Sequence, residues 1–348
     1  MSISLRLVLG GALAALSLAM PPALAQTPTL AELANYTGAD RTQRLIAGAK
    51  REGMVNVYSS VTVDDQKVLV AAFAKLYGVK LQFWRSSSES ILNRAMVEYR
   101  GSRFDVDAIE TSAAEMESLY RERLLTEIKS PLLADIVPAA IRPHREWIGD
   151  RLNIIAAAYN TNLIKKADIP KSYEDLLDPK WKGKLGIEAD DAVWFGALAN
   201  TMGEEKAVKL FRDIARTNGL SVRKGHTLLA NLVVSGEVPF ALTTYHYKTE
   251  QLKNAGAPLD WYVIPPGFAR FLGTGVMRRA PHPHAAVLFM DFMLYEAQKV
   301  LLDRDFTPTN MKVKPLDVAF NVIDPAQILD QGNKWQKLYD EIVIKQGK

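Results

Sequence analysis

Hydrophobic positions in the first third of the chain change repeatedly between the spacing of a strand and that of a helix. Short apolar runs at residues 54–58, 79–84 and 104–109 are each followed by polar residues and then by apolar residues three and four apart. This pattern predicts a strand, a loop and a helix, repeated three times. The helices are predicted at residues 40–52, 64–77, 89–100 and 113–123. Strands that alternate with helices favour a parallel sheet covered by helices, which is an α/β fold.

The second half of the chain carries the same alternation with longer interruptions. Strands are predicted at residues 153–159, 184–187, 238–243 and 261–264, and helices at residues 192–201, 204–217, 228–235, 284–294 and 297–303, with a last helix after Asp324. The runs at residues 153–159 and 261–264 are placed to cross between two groups of elements. The pattern therefore predicts two lobes joined by crossing strands.

The N-terminus has the pattern of a secretory signal peptide. Arg6 precedes an uncharged apolar run at residues 7–20, and Pro21 and Pro22 end it. Ala23 and Ala25 flank Leu24 in the small-x-small arrangement that a signal peptidase accepts. A membrane-spanning helix needs about 20 apolar residues, and this run is shorter. We expect cleavage after Ala25 and a mature protein in the periplasm.

Length and composition narrow the class of protein. A mature chain of this length exceeds what one compact core usually covers, so two lobes are favoured. We expect the first lobe at residues 26–150 plus 262–310, and the second at residues 151–261 plus 311–348. The absence of cysteine excludes disulfides and thiolate chemistry. A net charge of +4, with both signs mixed along the chain, does not indicate a nucleic-acid partner.

Five stretches in the same order along the chain resemble periplasmic iron(III)-type solute receptors, within family 1 of the extracellular solute-binding proteins. They are Pro-Lys-Ser-Tyr-Glu-Asp-Leu-Leu-Asp-Pro-Lys-Trp-Lys-Gly-Lys at residues 170–184, Ser-Gly-Glu-Val-Pro at 235–239, Val-Tyr-Ser-Ser at 57–60, Phe-Asp-Val-Asp at 104–107, and residues 283–294. The matches span roughly residues 54–315 of the printed sequence. Five matches in register carry more weight than any one of them alone.

The resemblance implies a two-lobed periplasmic binding protein of type II. Each lobe would be a mixed sheet flanked by helices, with hinge strands between the lobes and the ligand clamped in the cleft. It further implies an ABC permease in the inner membrane as partner, a monomeric receptor, no cofactor and no enzymatic activity. The sequence agrees on the last point, because it lacks the Gly-x-Ser-x-Gly, His-Glu-x-x-His and Gly-x-x-x-x-Gly-Lys motifs.

Hydroxyl groups follow the first three predicted strands, where ligands bind in open α/β sheets. The candidate ligand-binding residues in these loops are Ser59, Ser60, Arg85, Ser86, Ser87, Glu110 and Thr111. A guanidinium fork and several hydroxyls suit a carboxylate or phosphate group. The same hydroxyls also suit helix N-caps, so each serine has a purely structural alternative.

The Tyr245-His246-Tyr247 run lies at the end of a predicted strand in the second lobe. Ferric members of the resembled family carry two adjacent tyrosines here, and phenolate oxygen suits Fe(III). Alignment places His246 and Tyr247 on that pair, which makes these two the tentative metal ligands. Imidazole is a softer, neutral donor, and the loop after the first strand lacks the histidine that ferric members often offer. Iron as cargo is therefore one hypothesis, with a carboxylate available from Glu89 or Glu110.

Asp190 and Trp194 are candidates for the second-lobe side of the cleft. Asp190 and Asp191 precede a predicted helix, whose N-terminus favours acidic residues. Trp194 in that helix would either line the cleft or fill the core. We predict the binding component of an ABC importer that captures ferric iron or an iron–anion complex. A small organic anion without iron is the alternative, and a polyamine-like cation at Asp190, Asp191 and Glu110 is a third.

Overall fold

The computed structural model describes residues 28–316 and 320–345 of the 348-residue chain. The expected signal peptide at residues 1–25 lies outside the described residues. Within the described ranges no helix is both long and apolar enough to cross a membrane.

Helices and strands alternate as the sequence pattern predicts. The helices are α1 (Leu30–Asn35), α2 (Arg41–Glu52), α3 (Val63–Tyr77), α4 (Ser88–Arg100), α5 (Ala113–Arg121), α6 (Ala192–Met202), α7 (Glu204–Asn218), α8 (His226–Ser235), α9 (His246–Asn254), α10 (Pro283–Leu294), α11 (Glu296–Leu302) and α12 (Pro325–Tyr339). The strands are β1 (Met54–Ser59), β2 (Lys80–Arg85), β3 (Ala108–Ser112), β4 (Ile148–Asn160), β5 (Leu185–Glu188), β6 (Ser221–Arg223), β7 (Phe240–Tyr245), β8 (Leu259–Tyr262), β9 (Phe268–Val276), β10 (Thr307–Pro308) and β11 (Asn321–Val322).

The main strands follow one path through the molecule, in the order β2-β1-β3-β9-β4-β7-β5-β6. We call the part built on β2, β1 and β3 the first lobe, and the part built on β7, β5 and β6 the second lobe. Strands β1, β2 and β3 run parallel, as do β5, β6 and β7, whereas β9 and β4 between them are antiparallel to their neighbours. The predicted α/β architecture with crossing strands is thereby confirmed.

The third strand starts later than the sequence pattern predicts. It begins at Ala108, although the backbone of Asp107 still bonds to Asn56 and Met277 on either side. Asp107 accepts hydrogen bonds from the backbone N–H groups of Asn56 and His282, each at 2.7 Å. At its other end the strand extends through Thr111 and Ser112, which pair with β9 and which the sequence pattern assigns to a loop.

The crossing strands were only partly predicted. Strand β4 runs from Ile148 and is buried along its whole length, whereas the prediction began at residue 153. Strand β9 was missed, because Gly273 and Gly275 interrupt its apolar pattern. Those glycines are required by packing: a Cβ at Gly273 would lie 2.6 Å from the Trp147 ring, and one at Gly275 would lie 2.8 Å from Cε of Met116.

The second lobe packs its helices on an aromatic core. Trp194 and Phe195 of α6 contact Phe211 of α7, with ring centres 5.6 and 5.5 Å apart. The family-like stretch at residues 170–184 forms short 3₁₀ turns beside this core. The buried Asn218 amide holds it there by donating to the carbonyl of Leu176 at 2.7 Å and to a second carbonyl nearby.

The C-terminal helix α12 packs against helices of both lobes, α5 and α6. Its Asp330 accepts a hydrogen bond from Arg121 of α5 at 2.7 Å. Its Trp335 lies so close to α6 that a Cβ at Gly196 would come within 2.7 Å of the indole ring. The predicted assignment of residues 311–348 to the second lobe stays a prediction, since this helix contacts both lobes.

Candidate functional site

Five buried polar side chains form one network where the first lobe meets the crossing strands. We call Ser59, Glu110, Asp150, Arg151 and Thr274 the Arg151 cluster. Arg151 donates to Glu110 at 2.5 Å and to Asp150 at 2.7 Å. Ser59 donates to the other oxygen of Glu110, and Thr274 donates to the other oxygen of Asp150, both at 2.6 Å. All five residues are at most 1% exposed.

Strand register brings this network together. Ser59 is paired with Glu110 across β1 and β3, and Glu110 with Thr274 across β3 and β9. Successive strand residues normally point to opposite faces of a sheet. The register of β4 shifts between Gly149 and Arg151, and Asp150 is thereby brought to the same cluster as Arg151.

The electrostatics of the Arg151 cluster are those of a satisfied buried ion group. Burial raises the pKa of Asp150 above its usual value, although the adjacent Arg151 opposes the rise. Burial disfavours the charged form of Arg151, but the two carboxylates hold its pKa above the ordinary range. Every carboxylate oxygen has a donor, so the five side chains are held in fixed positions.

A second group of charges lies at the strand ends of the second lobe. We call Glu188, Asp191 and His226 the His226 cluster. One ligand atom from each lies within 4.8 Å of the others. Glu188 ends β5, Asp191 immediately precedes α6, and His226 is the first residue of α8. Loops that follow parallel strands meet at one edge of a sheet, which explains why residues distant in sequence converge here.

Backbone groups fix the orientation of the His226 cluster. The Glu188 carboxylate accepts from the N–H groups of Gly225 at 2.7 Å and Asp190 at 2.5 Å. His226 places Nδ1 3.3 Å from the carbonyl of Thr243 and Nε2 3.4 Å from an oxygen of Asp191. A carbonyl can only accept, so Nδ1 carries a proton.

The net effect of burial and mutual charge is to raise the pKa values of His226 and Glu188 and to lower that of Asp191. Burial alone would lower the pKa of His226, but the Asp191 carboxylate more than offsets this and holds the pKa above the usual value. Burial opposes ionisation of Asp191, but His226 and Arg270 hold its pKa below the usual value. Burial raises the pKa of Glu188, and the like charge of Asp191 adds to the rise.

Aromatic rings connect the two clusters. The Tyr245 ring lies 3.8 Å from the ring of His226 and 6.0 Å from that of Tyr247, measured between ring centres. Tyr247 in turn stacks on Phe306 at 4.0 Å. Burial raises the pKa of Tyr247 to about 12. The charges that act on its phenol belong to Arg151, Asp65, Glu110 and Arg85, so this second-lobe side chain lies beside first-lobe groups.

The His246 side chain is directed towards Ile154 and Thr307 and away from the charges around Tyr247. It is the first residue of α9, a helix that the sequence pattern did not predict. Its Nδ1 accepts from the N–H of Ile154 at 3.2 Å, and Nε2 lies 3.0 Å from the hydroxyl of Thr307. Burial lowers its pKa to about 4, so the ring is neutral. A metal-ligand role for His246 would require at least one ring nitrogen to lose its present partner.

Two other candidates have structural positions. Trp194 is 2% exposed and packs on Phe211 and Tyr173, so it lies in the second-lobe core rather than on a cleft wall. Ser87 caps α4 by accepting from the N–H of Ser90 at 3.2 Å. For both residues the structural alternative is the one that the contacts support.

The remaining candidates lie around the first-lobe strand ends or on the second-lobe surface. Ser60 and Ser86 are half-buried and extend the β1 and β2 ends by backbone hydrogen bonds to Glu110 and Ser59. Arg85 is exposed, and its charge reaches Tyr247. Asp190 is exposed and forms an ion pair with Lys224 at 3.4 Å.

Several buried polar atoms near these groups have no hydrogen-bond partner among the described residues. They are the Thr111 hydroxyl, Nε of Arg151, Oδ1 of Asn153, Oδ2 of Asp191, the Tyr245 hydroxyl and Nε of Arg270. Leaving a buried polar group unpaired costs about 1–3 kcal/mol, so such groups are usually satisfied by water or a ligand. They lie on or beside strands β3, β4, β7 and β9 and form the candidate site.

Some site residues escaped the sequence interpretation. Asp150 and Arg151 were missed because the predicted strand began too late. Glu188 directly follows a predicted strand, and the rule that ligands bind beyond strand ends could have identified it. His226 precedes the helix predicted at residues 228–235, where no local pattern distinguishes it from an exposed residue, but its side chain is only 14% exposed.

A two-lobed α/β fold with a polar cleft between its lobes defines a class of ligand-binding receptors. Residues 111–330 match the family model of bacterial extracellular solute-binding proteins, and the chain belongs to that family. Members of this family capture small ligands for ABC importers. The resemblance to iron(III)-type receptors is thereby confirmed, as is the function class.

Curated relatives and solved structures agree with this assignment. The chain is 26% identical over 302 residues to the Fe(3+)-binding periplasmic protein of Serratia marcescens, covering 81% of this chain and 88% of that protein. It is 24% identical over 310 residues to a putative 2-aminoethylphosphonate-binding periplasmic protein of Salmonella typhi, covering 84% of this chain and 89% of that protein. Iron-bound HitA from Pseudomonas aeruginosa shares the fold, with a TM-score of 0.71 at 21% identity, over 83% of this chain and 99% of that structure.

Proposed function

We propose that this chain is a monomeric periplasmic receptor that carries ferric iron, held together with a small anion, to an ABC permease. It binds and releases cargo without chemistry of its own. The observation that carries the proposal is the position of Tyr247. This hard phenol oxygen donor comes from the second lobe but lies under the charges of Arg151, Asp65 and Glu110.

The position of Tyr247 between the lobes would couple ligand binding to closure of the two lobes. A ligand that contacts Tyr247 and the first lobe together gains both sets of interactions only when the lobes are closed. Binding therefore shifts the balance towards the closed state by its differential affinity. The permease would recognise the surface that closure creates.

The small anion supplies oxygen ligands to Fe(III) in addition to the few that the protein offers. Both oxygens of Glu110 already accept hydrogen bonds, so Tyr247 is the main anionic donor that remains. Thr111 and Arg270 each have a buried donor without a partner among the residues that the structure describes, and Arg85 is exposed. Guanidinium groups suit carboxylates and phosphates, which in turn offer hard oxygens to Fe(III).

A small organic anion without iron is the second candidate. The observation in its favour is that two buried guanidinium donors, Nε of Arg151 and Nε of Arg270, have no hydrogen-bond partner among the described residues. The similarity to a putative 2-aminoethylphosphonate-binding protein points the same way.

Thermal shift of the metal-stripped protein separates the two candidates. A ligand at 100 times its dissociation constant stabilises the folded state by about 2.7 kcal/mol. We expect ferric citrate and gallium citrate to raise the melting temperature, citrate alone to leave it unchanged, and Tyr247→Phe to abolish the rise. Tyr99→Phe is the matched control, because Tyr99 packs on Phe104 away from the cleft. A rise with organic anions alone, retained in Tyr247→Phe, would contradict the iron proposal.

A further inference from the structure

We infer that Glu188, Asp191 and His226 form a separate binding site for a divalent transition-metal ion in the second lobe. The inference does not depend on the cargo proposed for Tyr247. It rests on the convergence of three ligating side chains from β5, the start of α6 and the start of α8. Glu188 is 3% and Asp191 is 1% exposed.

The His226 ring is held as metal-ligating histidines usually are. Its Nδ1–H faces the carbonyl of Thr243, and this contact leaves Nε2 directed towards Asp191. Metal-bound histidines typically donate their second ring N–H to a carbonyl or carboxylate, which fixes the tautomer. The Glu188 carboxylate is fixed likewise by two backbone N–H donors, and each of its oxygens keeps a lone pair.

Unpartnered atoms indicate that the cluster is incomplete by itself. Oδ2 of Asp191 is buried without a hydrogen-bond partner in the described structure. The Tyr245 hydroxyl, on a side chain whose ring lies 3.8 Å from His226, is also buried and unpartnered among these residues. A simple His226–Asp191 ion pair would satisfy only Oδ1, whereas a bound cation would satisfy both oxygens.

The ligand chemistry selects the kind of ion. Imidazole suits zinc and the later first-row metals, whereas magnesium and calcium prefer sites made only of oxygen. Two carboxylates balance a divalent charge. The guanidinium of Arg270, 5.1 Å from the centre of the Tyr245 ring, acts on Asp191 and disfavours a trivalent ion. The site therefore differs in charge preference from the ferric site proposed at Tyr247.

Calorimetric titration of the metal-stripped mature protein with Zn(II) and Co(II) tests this site. We expect one divalent ion per chain, a loss of at least a hundredfold in affinity in Asp191→Asn, and a comparable loss in His226→Gln. Asp190→Asn is the matched control: it is the adjacent acid, but it is exposed and paired with Lys224. The affinity of Asp190→Asn for the divalent ion should stay within threefold of that of the parent protein. The affinity of Tyr247→Phe should stay within the same range.

Spectroscopy of the unaltered protein covers the case in which a variant fails to fold. Bound Co(II) should give visible ligand-field bands of a low-coordinate nitrogen and oxygen site, and zinc absorption fine structure should include one imidazole near 2.0–2.1 Å. Binding weaker than millimolar, or spectra without imidazole, would overturn the inference and leave the cluster as an ion pair only. Divalent binding lost in Tyr247→Phe but kept in Asp191→Asn would likewise overturn it, and would place the metal at the proposed ferric site instead.

Discussion

Each of the two charge clusters contains one glutamate, one aspartate and one basic side chain, but the clusters differ in how completely their carboxylates are paired. In the Arg151 cluster, each carboxylate oxygen receives a hydrogen bond at 2.5–2.7 Å. In the His226 cluster, the imidazole lies 3.4 Å from Asp191, and Oδ2 of Asp191 has no partner within the described ranges. Arg151 itself leaves only Nε without a partner among the described residues. Complete pairing of the carboxylates indicates a structural role, whereas an unpaired carboxylate oxygen indicates a group available to a ligand.

Removing the central cation of the Arg151 cluster should give the largest effect on stability. Arg151→Met leaves Glu110 and Asp150 buried without their counter-charge. Breaking a buried ion pair from one side costs about 3–5 kcal/mol, and we expect a loss of this size in urea unfolding. Arg103→Met is the control, because that arginine is 62% exposed and exposed pairs contribute about 0–1 kcal/mol. A smaller loss of unfolding free energy in Arg151→Met than in Arg103→Met would contradict the structural role assigned to the Arg151 cluster.

Two matched Thr→Val substitutions compare a buried hydroxyl that donates a hydrogen bond with one that has no partner among the described residues. Thr274→Val removes the hydroxyl that donates to the buried Asp150 carboxylate, and hydrogen bonds to charged groups contribute about 1.5–3 kcal/mol. Thr111→Val removes a buried hydroxyl that has no partner among the described residues, so its unfolding free energy should stay within about 0.5 kcal/mol of the parent. Ligand affinity should fall in Thr111→Val. Equal losses of stability in the two variants would show that Thr111 is paired.

The His226 cluster should show a smaller effect that depends on pH. A histidine whose folded pKa lies above its ordinary 6.5 stabilises the fold fully below that pH, and the contribution is lost as pH rises through the folded value. The lowered pKa of Asp191 adds stability above its ordinary 3.8 that is lost on acidification. In metal-free protein, the stability difference between the parent and His226→Gln should therefore be largest between pH 4 and 6.5. A difference that grows above pH 7 in urea melts would contradict this assignment.

The fold could be predicted from the sequence where a local pattern determined it. The seven strands and helices predicted between residues 40 and 123 follow apolar periodicity, and twelve of their fourteen boundaries lie within two residues of the prediction. Strand β9 could not be found in this way, because Gly273 and Gly275 are dictated by the neighbouring Trp147 and Met116 rather than by their own stretch.

The candidate site could be predicted only in part, since its residues are selected by tertiary contacts. Glu110 and Tyr247 were named because a strand end and a family motif mark them. Arg151 was missed because its role depends on a register shift in β4, which no local pattern reveals. His246 was named from an alignment, yet helix α9 turns it towards Ile154 and Thr307, and Tyr247 faces the charges of the cleft instead.

The central claim is that Tyr247 ligates iron cargo between the lobes. A crystal of the protein loaded with ferric citrate, with diffraction recorded on both sides of the iron absorption edge, tests it most directly. The account predicts one iron peak bonded to the Tyr247 oxygen, with the anion next to Thr111 and Arg270. An ordered organic anion without an iron peak, or iron bound away from Tyr247, would contradict it.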